Sequence, residues 1–440
     1  MSSDTTQISA ETAEASAAKR LRSPVYIATI DIAEQVADLQ CVRPQEPPYT
    51  GAWILVLNSG YPVGCIEIPL RGKVISAVEI MHEVSRQLGQ VASPAPSAAV
   101  ALPKISIVVP TNFGRPEQLA RSVQRLVALD YPDYEVIVVD NRRVDGPSAD
   151  FPGARVVRER VPGISAARNR GIEVATGEVI AFTDDDVVAD RGWLRALGSR
   201  FASEPDVDAV SGLVVPLELE TPAQVLFEQS GMGVDKGFTP LTFARHGRFM
   251  VSRREQWTVS ERVGSLYATG EFGQGSNMAF RTAFLRERGG FDEALGTGTP
   301  TRGGEDLAML VELLMSGRRL AYEPGAIIHH SHRATMEELE RQIHGYGIGF
   351  TAMLTAIALR NPWHLVGLAS VVPAWLRSLR GESSVKQAGR SGDYPPSLAR
   401  AELRGMLAGP AAYLHSRWIH RRRQRPDESA GTTHAVAASG

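Results

Sequence analysis

The sequence predicts an α/β protein built on a mostly parallel sheet, preceded by a smaller α/β unit and followed by a helical extension. Three observations carry this. From residue 105 onward short apolar runs alternate with amphipathic helical patterns, as successive βαβ units require. A Pro/Ala/Ser-rich stretch, ASPAPSAAVALP, separates that region from an earlier set of strand signals. A length of 440 residues is enough for one large core with accessories.

The elements follow in order. Residues 1–23 are polar and Ala/Ser-rich with no apolar h-region, so they read as a disordered tail, neither signal peptide nor anchor. Residues 24–91 contain VYIATIDI, a hairpin through WILVLNSGYPVGCIEIPL that turns near Asn58 to Pro62, and the amphipathic VISAVEIMHEVSRQL, together an accessory domain. Residues 92–103 are the linker. The main domain, 104–335, opens with the buried strand ISIVVPT, a helix with Pro116 suited to its first turn, and the strand YEVIVVDN. ARVVRE, the helix ISAARNRGIEVAT closed by Gly177, and EVIAFTDDD come next. VDAVSGLVVP is a strand, and residues 217–270 show no clear period. NMAF is a short strand, EDLAMLVELLMSG a helix closed by Gly317, and LAYEP and AIIHHS are separate strands. Residues 336–380 form a helical extension with the Gly-rich GYGIG, and 381–440 a mostly disordered or helical basic tail.

Composition removes several function classes. The 47 basic and 49 acidic residues nearly cancel, which argues against a nucleic-acid binder. Cys41 and Cys65 alone cannot make a disulfide framework or a thiolate metal cluster, and they fit a reducing, cytoplasmic compartment. LVGLASVVPAWL is too short to span a bilayer and contains Pro373. Trp363, Trp375, Leu376 and Trp418 among arginines are compatible with peripheral contact at the inner membrane face, and equally with helices packed back onto the main domain. The G-x-G-x-x-G fingerprint, a Walker loop and a G-x-S-x-G elbow are all missing, so dinucleotide, ATPase and α/β-hydrolase readings fall.

Ligands of parallel sheets collect at the strands' carboxyl ends, where Pro110 and Thr111, Asp140 and Asn141, and Asp184 to Asp186 fall. In the acidic triplet, Asp-x-Asp can hold a hard cation such as Mn²⁺ or Mg²⁺, although one acid there could simply cap the following helix. Glu305 and Asp306 open a helix after the Gly-rich GTGTPTRGG, read as a flexible segment; a carboxylate there could take a proton from a hydroxyl, or merely complement the helix dipole. In HHSHR, His330 and His332 alternate and could face one site as ligands.

Taken together, ISIVVPT, VIVVDN, GISAARNRG, TGEVIAFTDDD, GQGSNMAFR, GGFDEALG, GGEDLAM and YEPGAIIHHSHR resemble, in this order, the inverting family 2 glycosyltransferases with the GT-A fold. The likeness spans roughly residues 104–335. It implies a nucleotide-diphospho-sugar transferase fold with a Rossmann-like mixed sheet, in which Pro110, Thr111 and Asp140 grip the base and Arg168 contacts the nucleotide. Asp184 would lie by the ribose, Asp185 would support its neighbours, and Asp186 would bind a divalent metal with His330 or, second, His332. Asn277 would line the sugar, Asp306 would be the general base, and Glu305 would lie near the acceptor. A hexosyl or deoxyhexosyl group would pass by single displacement to a hydroxyl on a glycan, a lipid-linked sugar or a small molecule. Asn141 replaces a second Asp common in the family, and the basic RHGRFMVSRREQW is expected to shape the acceptor side. The rival readings are a catalytically inactive sugar-nucleotide binder or scaffold and a haloacid-dehalogenase-like phosphatase.

Overall fold

The structure, a computed structural model, describes residues 21–91, 101–144, 146, 150–229, 237–246, 249–254, 256–259, 267, 272–369 and 395–423, with backbone alone at 245–246, 249–254 and 256–259. The expectations for residues 1–20, 92–100 and 424–440, for Trp375 and Leu376, and for the side chains of RHGRFMVSRREQW lie outside the described residues.

The accessory unit is a three-stranded sheet of β1 (Val25–Asp31), β3 (Gly51–Asn58) and β4 (Tyr61–Pro69), a small pair of β2 (Leu39–Gln40) and β5 (Val74–Ile75), and α1 (Ala77–Leu88). The hairpin turns through Ser59 and Gly60, both with positive φ, and the Asp31 carboxylate accepts from both of their N–H groups.

The main domain comprises β6 (Ile105–Thr111), α2 (Pro116–Leu126), β7 (Tyr134–Asp140), β8 (Ala154–Arg158), α3 (Ile164–Val174), β9 (Val179–Phe182), β10 (Val187–Ala189), α4 (Trp193–Ser203) and β11 (Val207–Pro216). It continues with α5 (Pro222–Gln229), β12 (Leu241–His246), β13 (Phe249–Arg254), β14 (Gln256–Val259), β15 (Met278–Arg281), α6 (Thr282–Arg288), α7 (Glu305–Met315) and β16 (Arg319–His330). Along the large sheet the order is β14-β13-β12-β16-β11-β15-β9-β6-β7-β8. β9, β6, β7 and β8 run parallel, as do β11 and β16, while β15 lies antiparallel between the two groups. This is the expected α/β architecture, a mixed sheet with a parallel heart.

The continuous apolar runs are explained by burial on both faces. Ile105, Ile107 and Val109 of β6 pack towards α2 and α4, whereas Val108 points to the opposite layer with α3, α6 and α7. The region without a clear period, 217–270, contributes α5 and the β12–β14 meander at the sheet edge. LAYEP and AIIHHS are one strand, not two. Gly212 pairs with Glu323 and Leu213 with Ile327, so residues 324–326 form a bulge that absorbs the proline and glycine between the two runs.

The accessory unit seats on that bulge. Val25, Trp53 and Leu55 pack with Leu213, Val215, Leu219 and Ile327, and the Tyr61 hydroxyl donates to Glu323 at 2.9 Å. After the sheet, α8 (Met336–Arg360) begins with a Thr335–Glu338 capping box and runs beside α9 (Pro396–Arg423). Glycines allow their backbones to touch: Gly347 abuts Glu402 and Met406, Gly405 abuts His344 and Ile348, and Gly409 abuts Ile348 and Ala352. Contacts ascend together in both helices, so the pair is parallel. Among the described residues no helix is long and apolar enough to cross a membrane.

Candidate active site

The carboxyl ends of β6, β7 and β9 open on one corner of the sheet. The acidic triplet follows β9, and β10 returns antiparallel to the end of β16, pairing Val187 with His330. That register, tightened by Ser331 N–H donating to the Asp186 carbonyl at 3.2 Å, brings an imidazole to an acid far away in sequence. One ligand atom each from Asp184, Asp186 and His330 lie within 4.8 Å of one another. His330 Nε2 is 3.5 Å from Asp186 Oδ1, and Arg115 of the β6–α2 loop pairs with Asp186 Oδ2.

Whether these residues suit a divalent cation can be read from Asp184. Its Oδ1 is buried without a hydrogen-bond partner, with Arg168 Nη2 at 3.6 Å. A buried carboxylate oxygen left without a hydrogen bond is costly, and a cation is the natural partner for it here. Burial, reinforced by Asp186, Asp185 and Glu305 and opposed by Arg168, pushes the Asp184 carboxyl up to about 7. Burial lowers the His330 imidazole, against the pull of Asp186, and so favours the neutral form that can coordinate. Asp185 is raised by burial, and its Oδ2 accepts from the Thr111 hydroxyl at 2.6 Å. His332 is not brought into this cluster. It lies beyond the strand end, where Nε2 meets Glu228 at 2.9 Å and the ring lies 4.6 Å from the Phe227 ring at a 51° tilt.

A second group of residues links the triplet to α7. Arg168 is 1% exposed; its Nη1 donates to Glu305 at 2.7 Å and its Nη2 to the Gly275 carbonyl at 3.1 Å. It therefore braces the wall of the cleft, with its charge balanced from within the protein. The Gly275 N–H donates to Asp306 Oδ2 at 2.8 Å, so one peptide ties the arginine to the second acid of α7. Glu305 is buried, and burial with the neighbouring Asp306 pushes it up to about 7 against the pull of Arg168. Asp306 is half-buried at the rim. Around this corner five carboxylates, Asp184, Asp185, Asp186, Glu305 and Asp306, face two guanidiniums, Arg115 and Arg168. The segment read as flexible, before α7, is tied down: Thr301 accepts from Gly296 N–H at 3.0 Å and Ile164 N–H donates to Thr297.

Pro110 and Thr111 close β6 as expected, and Asp140 ends β7 beside them. Burial would raise Asp140, but hydrogen bonds from Arg142 and the charge of Arg158 hold it below the usual carboxylate range. Both its oxygens accept from these arginines, at 2.7 Å from Arg142 Nη2 and 2.7 Å from Arg158 Nη1. Arg142 also lies 4.4 Å over the Phe113 ring. Asn141 pins the next loop, donating to Glu159 and Val161 carbonyls and accepting from Gly163 N–H.

Asn277 corrects an expectation. It is 0% exposed and does not line the cleft: Nδ2 donates to the Leu213 and Ala326 carbonyls and Oδ1 accepts from Trp193 Nε1. The physical reason is the bulge in β16, which takes both carbonyls out of the regular ladder. Sequence reading also missed Arg115, Glu228 and Tyr346. Arg115 carried a signal, a cation four residues past a strand end; Glu228 reaches His332 only through tertiary packing, and the charges of Asp306, Asp184 and Asp186 all act on Tyr346.

Residues 103–344 match the model of a family described as glycosyltransferase like family 2. The pre-mycofactocin glycosyltransferase of Mycobacterium tuberculosis is 28% identical over 297 residues, covering 65% of this chain and 55% of that protein. The chain thus spans about half the length of this relative. The glucosyl-dolichyl phosphate glucuronosyltransferase of Haloferax volcanii is 27% identical over 241 residues, covering 52% of this chain and 69% of that protein. Among solved structures, a mannosyltransferase from Pyrobaculum calidifontis in complex with GDP-Man and Mn²⁺ is similar at 18% identity and a TM-score of 0.39, covering 79% of this chain and 95% of that one.

Proposed function

The chain belongs to glycosyltransferase family 2, and we propose that it moves a hexosyl or deoxyhexosyl group from a nucleotide-diphosphate donor to an acceptor hydroxyl with inversion. The observation that carries this reading is the corner itself: a cation-ready trio of Asp184, Asp186 and His330 beside a rim carboxylate, Asp306. In a single displacement the acceptor oxygen bonds to the anomeric carbon as the carbon–oxygen bond to the diphosphate breaks. Asp306 takes the hydroxyl proton, its carboxylate aimed by the Gly275 N–H. Glu305, locked to Arg168, positions α7 rather than reacting. Thr111 and Asp185 brace the donor side, and Pro110 and Asp140 border the nucleobase. A divalent cation held by Asp184, Asp186 and His330 would neutralise charge on the departing diphosphate, and an imidazole in the set favours Mn²⁺ over Mg²⁺. The acceptor, whether glycan, lipid-linked sugar or small molecule, enters over Asp306.

The test is a donor screen with Mn²⁺ that follows nucleotide-diphosphate release and thermal shift. A donor is expected to raise Tm in a metal-dependent way, and Asp306→Asn to keep that shift while transfer falls about 10²- to 10⁴-fold. If no sugar nucleotide shifts Tm with or without metal, the transferase reading fails. Donor binding without turnover in the wild-type chain would favour the inactive binder.

A further inference from the structure

The α8–α9 pair leaves one face open to solvent. Leu403, Leu407, Leu414 and Trp418 are 44, 76, 55 and 49% exposed. At 100° per residue these positions fall within an arc of about 60°, a continuous apolar stripe along α9. The stripe is edged by charge of one sign. α9 carries Arg400, Arg404, Arg417, Arg421, Arg422 and Arg423 against a single acid, Glu402, in a chain whose net charge is −2. Arg422 lies 3.8 Å over the Trp418 ring, so an aromatic and a guanidinium share one place on the surface.

The stripe lies on the side of α9 away from α8, since α8 meets α9 through Glu402, Gly405, Met406 and Gly409. Because the helices run parallel from their glycine contacts, the end of α8 lies beside the Tyr413 region of α9: Tyr413 donates to Asp292 at 2.9 Å and Arg360 pairs with Asp292 at 3.1 Å. Leu359, Trp363, Leu365 and Val366 are exposed just there. At the other end the stripe starts level with His344 and Gly347, in the turn of α8 that carries Tyr346, on which the charges of Asp306, Asp184 and Asp186 act.

From these features we propose that the outward face of α9 seats on an anionic lipid bilayer. Its exposed leucines and Trp418 enter the headgroup boundary while the arginines meet lipid phosphates, and no spanning helix is needed. The charge complementarity selects a bilayer over a second copy of this chain, which would set one arginine row against another. The inference stands on exposure and charge and is independent of the transfer reading. Its consequence would be to hold the cleft near acceptors that reside in the membrane.

The test is flotation of the full chain with vesicles of phosphatidylglycerol and phosphatidylcholine, and with phosphatidylcholine alone. Recovery with the anionic vesicles only, reduced by added salt and about tenfold lower for the double variant Leu407→Glu/Trp418→Glu, is expected. Unchanged circular dichroism and Tm of that variant keep misfolding from imitating the result. Recovery wholly in the soluble fraction, equal binding by the variant, or a dimer through this face in place of vesicle binding would each overturn the proposal.

Discussion

Asn277 shows how a polar residue beside a cleft can serve the frame alone. Its three hydrogen bonds hold the Trp193 indole and two carbonyls that the bulge leaves outside the ladder. Asn277→Ala would leave those buried groups without partners and is expected to cost about 3 kcal/mol or more, measured by chemical denaturation. A raised KM with unchanged stability would instead return Asn277 to the sugar. Arg168 teaches the same lesson with charge. The family resemblance points it at the nucleotide, yet no local signal says that Glu305 and Gly275 would engage it. A residue's type is written in the sequence; its partners are set by what folds against it.

Elements position the chemistry by close approach. α7 starts at Gly304, whose left-handed φ of 91° no β-carbon residue adopts easily, and whose missing side chain lets Gly349 of α8 pack on it. α8 is in turn fixed by α9 through Gly405, where an added β-carbon would lie 2.1 Å from the His344 carbonyl oxygen. Gly405→Ala is therefore expected to push the helices apart, costing about 1–3 kcal/mol. Because α8 abuts the turn that presents Asp306, turnover should fall alongside Tm. A Tm loss with wild-type turnover would show that the helix pair does not position α7. The Gly-rich middle of α8 was visible in GYGIG, but its packing partner was not, since glycine spacing does not identify the opposing helix.

Across the whole molecule, the accessory unit and the sheet meet over a buried acid. Burial raises Glu323 above its ordinary value of 4.5, opposed by the Gly325 N–H, Arg200 and the Tyr61 hydroxyl. The folded state then binds the proton more tightly than the unfolded one. The contribution is fully present below the ordinary value and is lost as pH rises through the folded value. Glu323→Gln keeps the acceptor for Tyr61 and Gly325 and should flatten this loss, measured by urea unfolding from about pH 4 to about pH 8. An unchanged pH dependence would show that Glu323 does not govern the interface.

The sequence by itself determined the alternation of strands and helices, the strand ends where ligands gather, and the triplet Asp184 to Asp186, the pair Glu305 and Asp306, and the histidines His330 and His332 as candidates. Periodicity and local chemistry are enough for these, because a strand buried on both faces must be apolar and an acid at its end must be balanced. Only the tertiary structure decided which candidates converge. The β10–β16 register set His330 beside Asp186 and turned His332 to Glu228, the bulge in β16 turned Asn277 into a strut, and α9 acquired an exposed face. Such outcomes depend on register and helix approach between segments far apart in the chain, and no short stretch of sequence encodes them.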